Sequence, residues 1–174
     1  RILEDPDIEA VVIATRSDLQ PVLASEALLA GKHVYVEKPL AESPKECDRV
    51  VAARNASGKR LAVGFNKRFA PIYQKAKQVM DADGGPRNLH LRMADDAWRW
   101  SRGHKPGDLL KMDVCHFFDL VRWFTGAEIA SVYCIQAREN DETLALQMTD
   151  KTVVSILFSG NGTMDMPKER LDAV

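Results

Sequence analysis

Apolar residues fall along this chain in two rhythms, and the change between them divides it. Residues 8–15 (IEAVVIAT) form an unbroken apolar, β-branched run, the pattern of a strand buried on both faces. Residues 18–30 carry apolar side chains at helical spacing and stop at Gly31, the residue that suits a left-handed helix terminus. Residues 33–37 (HVYVE) read as a second short strand. Ser43-Pro44-Lys45-Glu46 then signals a helix start, with Ser43 as N-cap, Pro44 at the first helical position and Glu46 completing a capping box. That helix runs to about Ser57 and stops at Gly58, and residues 60–66 (RLAVGFN) read as a third strand. Strands and helices alternating through connections this short predict right-handed crossovers and a parallel sheet.

After Pro71 the rhythm changes. A helix to about Met80 leads to the turn Gly84-Gly85-Pro86 and to an alternating strand over residues 88–92. Residues 94–107 are polar and aromatic, the pattern of a loop, and residues 108–125 form an amphipathic helix ended by Gly126. Three strands follow over residues 131–137, 143–149 and 152–158, the last two joined by a hairpin-like turn at Asp150-Lys151. The expected fold is therefore α/β: a parallel sheet over residues 1–69, then an α+β domain with consecutive strands over residues 70–174.

Composition narrows the function classes. The 174 residues carry a formal net charge of −1, and no basic run exceeds two adjacent residues, so nucleic-acid steering is not expected. No apolar run approaches the roughly 18 residues of a membrane helix. Cys47, Cys115 and Cys134 are odd in number and irregularly spaced, indicating neither a disulfide framework nor a zinc site. They read as small buried hydrophobes of a cytoplasmic protein. The chain opens on Arg1-Ile2-Leu3-Glu4, which reads like the end of a helix, and closes on what reads like a strand just begun. Truncation at both ends is the expectation.

In an open parallel sheet, ligands lie outside the carboxyl ends of the strands. That rule selects Thr15-Arg16, Glu37-Lys38-Pro39 and Asn66-Lys67-Arg68. Solvated loop charge is the better account of the first of these. The second is more pointed, because two charges follow a buried strand directly and are then fixed by a proline. Lys38, desolvated in a crevice, can exchange a proton or polarise a hydroxyl or carbonyl, and a cis bond at Pro39 would aim it. On the later helix, Asp113, His116 and Asp119 recur at a spacing of three. His116 is either a satisfied core residue or an acid/base whose tautomer Asp113 sets, with Asp119 as a structural hydrogen-bond partner. Nothing completes a metal shell around the three. Trp98 and Trp100 either line a sugar pocket or cover the sheet.

DPDIEAVVIAT, ALLAGKHVYVEKPLAESPKE, LAVGFNKRFAP, GDLLKMDVCHFFDLVRWFTG and PKERLDAV together resemble the Gfo/Idh/MocA oxidoreductases, the glucose–fructose oxidoreductase and inositol dehydrogenase family, over essentially the whole chain. The resemblance implies that residues 1–69 are the latter half of a Rossmann-type parallel sheet and that residues 70–174 carry an open, mostly antiparallel sheet, with NAD or NADP as cofactor and a sugar-like or cyclitol substrate. It also implies a homo-oligomer formed through the C-terminal sheet. It assigns Lys38 to a position near nicotinamide and substrate, Glu37 to the cofactor ribose and His116 to acid/base work. Thr15, Arg16, Pro39 and Asn66 fall on the cofactor side, and Arg68, Trp98 and Trp100 with Lys38 and His116 on the substrate side. Three departures stand out. Met112 occupies the usual aspartate position four before the histidine, with Asp113 one residue later. The turn after Thr15 lacks a histidine, and no G-x-G-x-x-G occurs. Without that pyrophosphate turn the polypeptide alone is expected to bind dinucleotide poorly. Two other functions fit the same fold: glycoside cleavage assisted by bound NAD, and a non-catalytic regulatory relative.

Overall fold

Two strand–helix–strand crossovers build the first part of the molecule. The computed structural model describes residues 1–84, 88–96, 109–163 and 165–174, which divide into two compact units, Arg1–Phe65 and Asn66–Val174. In the first, β1 (Ala10–Ile13), β2 (His33–Val36) and β3 (Leu61–Val63) form a parallel sheet in that order. Helix α1 (Gln20–Leu29) joins the first pair and α2 (Pro44–Ser57) the second. Ser43 caps α2 by accepting from the Glu46 N–H at 3.4 Å, while its own hydroxyl donates to the Glu46 carboxylate at 2.8 Å. Gly31 takes φ +80°, the left-handed region that a side chain resists, and closes α1.

Within these 174 residues the apolar run around β1 is covered on one face. Crossovers of one hand that proceed in one direction across a sheet put both helices on the same side. Val11, Ile13, Val34, Val36, Leu61 and Val63 therefore pack with Ala24, Ala27 and Leu28 of α1 and Val50 and Ala53 of α2. Val12, one residue out of phase, is 76 % exposed, and its cross-strand neighbour Tyr35 is exposed beside it.

The second unit contains a single-turn 3₁₀ segment (Asn66–Phe69), α3 (Pro71–Asp83), β4 (Asn88–Ala94), a π-helical turn (Leu110–Val114), α4 (Cys115–Thr125), and strands β5 (Ile129–Arg138), β6 (Asp141–Met148), β7 (Val153–Ser159) and β8 (Glu169–Ala173). Its sheet runs β5-β6-β7-β4-β8, antiparallel except for the parallel β7–β4 pair. Alternation sends Leu89, Leu91, Met93, Leu144, Leu146, Val154, Ile156 and Phe158 into one core with Phe117, Leu120, Val121 and Phe124 of α4. Full burial of a side chain of this size contributes about 1.5–3 kcal/mol.

The opposite face carries exposed Tyr133, Ile135, Val153 and Leu157. Cys134 is exposed, contrary to the reading of all three cysteines as buried, because β5 is an edge strand with almost every residue open to solvent. No helix among the described residues is long and apolar enough to cross a membrane.

Gly160-Asn161-Gly162 has a packing role. The Gly162 N–H donates to the Asp95 carbonyl at 2.9 Å, and a Cβ there would lie 2.7 Å from the Ala94 carbonyl carbon. That clash is with backbone, which cannot swing aside. Gly162→Ala is therefore expected to lower unfolding free energy by about 1–3 kcal/mol, the usual cost of overpacking. Urea denaturation checks this, and an unchanged midpoint would show that the approach is looser.

Candidate active site

The carboxyl ends of β1, β2 and β3 lead directly into the three segments that the sheet rule selects. Thr15 and Arg16 are exposed. The Arg16 guanidinium holds Asp18 through Nε–Oδ1 at 3.0 Å and Nη2–Oδ2 at 2.5 Å. Their hydrogen bond raises the arginine further and lowers the aspartate below its ordinary value. At the end of β2, the Glu37 carboxylate accepts the Lys38 backbone N–H at 3.0 Å. Gly64, which follows β3, lets the backbone come close: a Cβ would stand 3.1 Å from the Tyr35 hydroxyl and 3.3 Å from Glu37 Oε1. Lys38 is half-buried, and the Lys38–Pro39 peptide is cis.

Gln20, which sequence reasoning passed over, holds this loop. Its side chain is fully buried at the start of α1, and its Nε2 donates to the Pro39 carbonyl at 2.6 Å. The available signal was an amide inside an otherwise apolar helical face, immediately before Pro21.

In the second unit, Asn66 is exposed, while the next two residues turn their charges inward. Lys67 pairs with Glu169, and its Nζ sits 5.2 Å from the centroid of the Phe117 ring. Glu169 also accepts the Tyr73 hydroxyl at 2.5 Å. Burial works to raise the Glu169 carboxyl, but Lys67 and Tyr73 outweigh it and hold it below the ordinary range. Burial first, and Glu169 second, push the Tyr73 phenol well above its ordinary value. Arg68 grips buried Asp119 with two nitrogens, Nε–Oδ2 at 2.6 Å and a second bond from Nη2 to Oδ1.

His116 is buried in the first turn of α4, beside Phe117. Asp113 lies in the preceding π turn, where the Cys115 N–H reaches the Leu110 carbonyl. Sequence periodicity, which treats residues 108–125 as one regular helix, does not reveal this turn. The Asp113 Oδ2 lies 3.8 Å from Lys168 Nζ, and the same ammonium lies 2.6 Å from Asp95 Oδ2. Neither Lys168 nor Asp95 stands out in the sequence. Trp98 and Trp100 fall outside the described residues, and among the described ones no cluster of His, Cys, Asp or Glu could hold a metal ion.

A parallel sheet with charged strand ends, followed by a mixed sheet covered by a histidine-bearing helix, defines the fold class: a Rossmann-type α/β unit with a second α/β unit after it. Residues 1–65 match the oxidoreductase family with an NAD-binding Rossmann fold, and residues 74–166 match the GFO/IDH/MocA C-terminal domain. The chain belongs to the Gfo/Idh/MocA family. It is 34 % identical over 173 residues to the uncharacterized oxidoreductase YrbE of Bacillus subtilis, covering 94 % of this chain and 49 % of that protein. Over 142 residues it is 35 % identical to the inositol 2-dehydrogenase of Acidothermus cellulolyticus, covering 80 % of this chain and 41 % of that enzyme. The fold matches scyllo-inositol dehydrogenase from Lactobacillus casei, solved with NAD(H) and scyllo-inositol, at TM-score 0.82 and 23 % identity over 99 % of this chain and 56 % of that one. The chain thus spans about half the length of the relatives it matches.

Removing Arg68 would leave the Asp119 carboxylate buried without its cation. Arg68→Met should therefore cost about 3 kcal/mol, the lower end for a broken buried pair because the guanidinium is partly exposed. Asp119→Asn should cost less, since it strands no buried charge. Chemical denaturation of both variants checks the order, and a harmless Arg68→Met would show the pair to be ornamental.

Proposed function

We propose that the protein carrying this chain is an NAD(P)-dependent oxidoreductase that transfers hydride to or from a carbinol or carbonyl carbon of a cyclitol or sugar-like compound. The observation that carries this reading is Glu37-Lys38-Pro39 at the carboxyl end of a parallel strand, in a chain 35 % identical to an inositol 2-dehydrogenase. The residues present fit the nicotinamide half of a dinucleotide. Three strand ends offer Thr15, Arg16, Glu37, Lys38, Pro39 and Asn66, and the carboxyl ends of parallel strands are where such ligands lie. The glycine-rich turn that would receive the pyrophosphate is not among these 174 residues, and no pyrophosphate contact is assigned to them. On this reading residues 1–69 belong to the nucleotide-binding domain and residues 70–174 to the substrate and oligomerisation domain.

When bound, the nicotinamide accepts or returns the hydride. The chain's own residues manage the accompanying proton and the substrate's orientation. Oxidising a hydroxyl requires a base for its proton, and reducing a carbonyl requires an acid, so one group must serve both directions. His116 takes that role, with Asp113 one turn before it, and the Lys38 ammonium polarises the substrate oxygen. Arg68 has Nε and Nη2 engaged by Asp119, so its substrate contact runs through Nη1. Trp98 and Trp100 supply apolar faces to the ring. The homo-oligomer contact falls on the outward face of the five-stranded sheet, and exposed Tyr133, Ile135, Val153 and Leu157 support that placement.

The full-length product of the reading frame, supplied with myo-inositol or scyllo-inositol and NAD⁺ or NADP⁺, should form reduced nicotinamide. Lys38→Ala should lower kcat/KM by roughly 10²–10⁴-fold, the range typical of a lost proton-transfer or polarising group. Undiminished turnover in that variant would overturn the assigned mechanism. Glycoside cleavage with no net cofactor reduction would replace it with the NAD-assisted hydrolase reading.

A further inference from the structure

Asp95 and Asp113 are 18 positions apart, at the end of β4 and inside the π turn before His116, and both side chains are only 13 % exposed. Carboxylates withdrawn this far from water stay charged at lower cost with a cation nearby. Among the described residues Lys168, just ahead of β8, lies near both, at 2.6 Å from Asp95 and 3.8 Å from Asp113. Its backbone takes part as well, because the Lys168 carbonyl accepts the Ala94 N–H at 2.8 Å. Its neighbour Glu169 points its carboxylate to Lys67 and Tyr73 and adds a third negative charge to the surroundings of the ammonium. The start of β8 thus fastens three separate elements: the end of β4, the π turn and the 3₁₀ segment.

A π turn is strained relative to the α-helix around it and persists only where its surroundings hold it, and such turns recur at functional sites. We propose that Lys168 is a positioning residue for the oxidoreductase reaction. By sharing its ammonium between Asp95 and Asp113, it fixes the π turn and so sets where the His116 imidazole stands. This rests on the functional reading above and adds to it a residue that touches neither substrate nor cofactor. It also accounts for Asp113 standing one residue later than the family aspartate. At position 113 the carboxylate lies 3.8 Å from the lysine ammonium, an ion-pair distance without a hydrogen bond, and its effect on His116 is exerted through the backbone of the turn.

The test uses Lys168→Met, Lys168→Arg and Asp113→Asn in the full-length protein, with inositol and NAD⁺ as substrates. A positioning role predicts a kcat about ten-fold lower for Lys168→Met with the KM for NAD⁺ unchanged, the scale of a small misplacement of a catalytic group. Lys168→Arg should recover most of that loss. Combining Lys168→Met with Asp113→Asn should cost no more than the worse single change, because both act through one contact. A wild-type kcat in Lys168→Met, or losses that multiply in the double variant, would overturn the proposal.

Imidazole NMR of His116 gives a readout that needs no turnover. The His116 ring signals should shift in Lys168→Met and return in Lys168→Arg, and ring signals unmoved in Lys168→Met would refute the positioning role whatever its effect on stability. Lys38→Ala in the same assay separates the two levels. If Lys38→Ala abolishes turnover and Lys168→Met does not lower it, only the positioning role falls. If Lys38→Ala leaves turnover intact, the functional reading falls while the NMR comparison still decides the role of Lys168.

Discussion

Two buried or half-buried carboxylates of the second unit are each met by a cation from another element, and these pairs tie its elements together. Asp119, one turn after His116 on α4, is met by Arg68, and Glu169 at the start of β8 is met by Lys67. Lys67 and Arg68 are adjacent, so a single 3₁₀ turn is pinned at once to the histidine helix and to the sheet. Apolar packing behind α4 supplies most of the stability, but packing alone tolerates sliding and rotation. Directional, paired charges do not, because displacing either partner leaves the other buried and alone. The same logic extends through Lys168 to the π turn.

Much of this architecture was legible in the sequence because it follows from local rules. Ser43-Pro44 and the glycines at 31, 58 and 126 end or begin helices for reasons contained within a few residues. The switch from strand–helix alternation to consecutive strands announced two units of different kind. What stayed hidden depends on partners far away in the chain. The uncovered face of β1 follows from which side both crossovers take, and the exposure of Cys134 from the position of β5 at the sheet edge. An interruption of α-helical geometry at Leu110–Val114 leaves no mark on hydrophobic spacing.

The candidate site shows the same division. Lys38 and His116 stand out in the sequence because their residue types and local contexts can carry chemistry, and Glu37-Lys38-Pro39 ends a strand as the sheet rule requires. Gln20 and Lys168 leave no such mark because each contacts something distant in the chain: a carbonyl of the Pro39 loop, or two acids 18 positions apart. Supporting residues have no signature of their own until the fold brings their partners to them. Family membership reinforces the distinction, since a motif can be matched along the chain and a support cannot.

On the proposed function, a hydride leaves a carbinol carbon for the nicotinamide while residues of this chain handle only the proton. The direct measurement is label transfer, using inositol deuterated at the oxidised carbon with the full-length protein and NAD⁺. Deuterium should appear on one face of the reduced nicotinamide ring, without dilution by solvent hydrogen, and the His116→Ala protein should form little labelled product. Reduced nicotinamide free of the label, or label lost to water, would contradict the account.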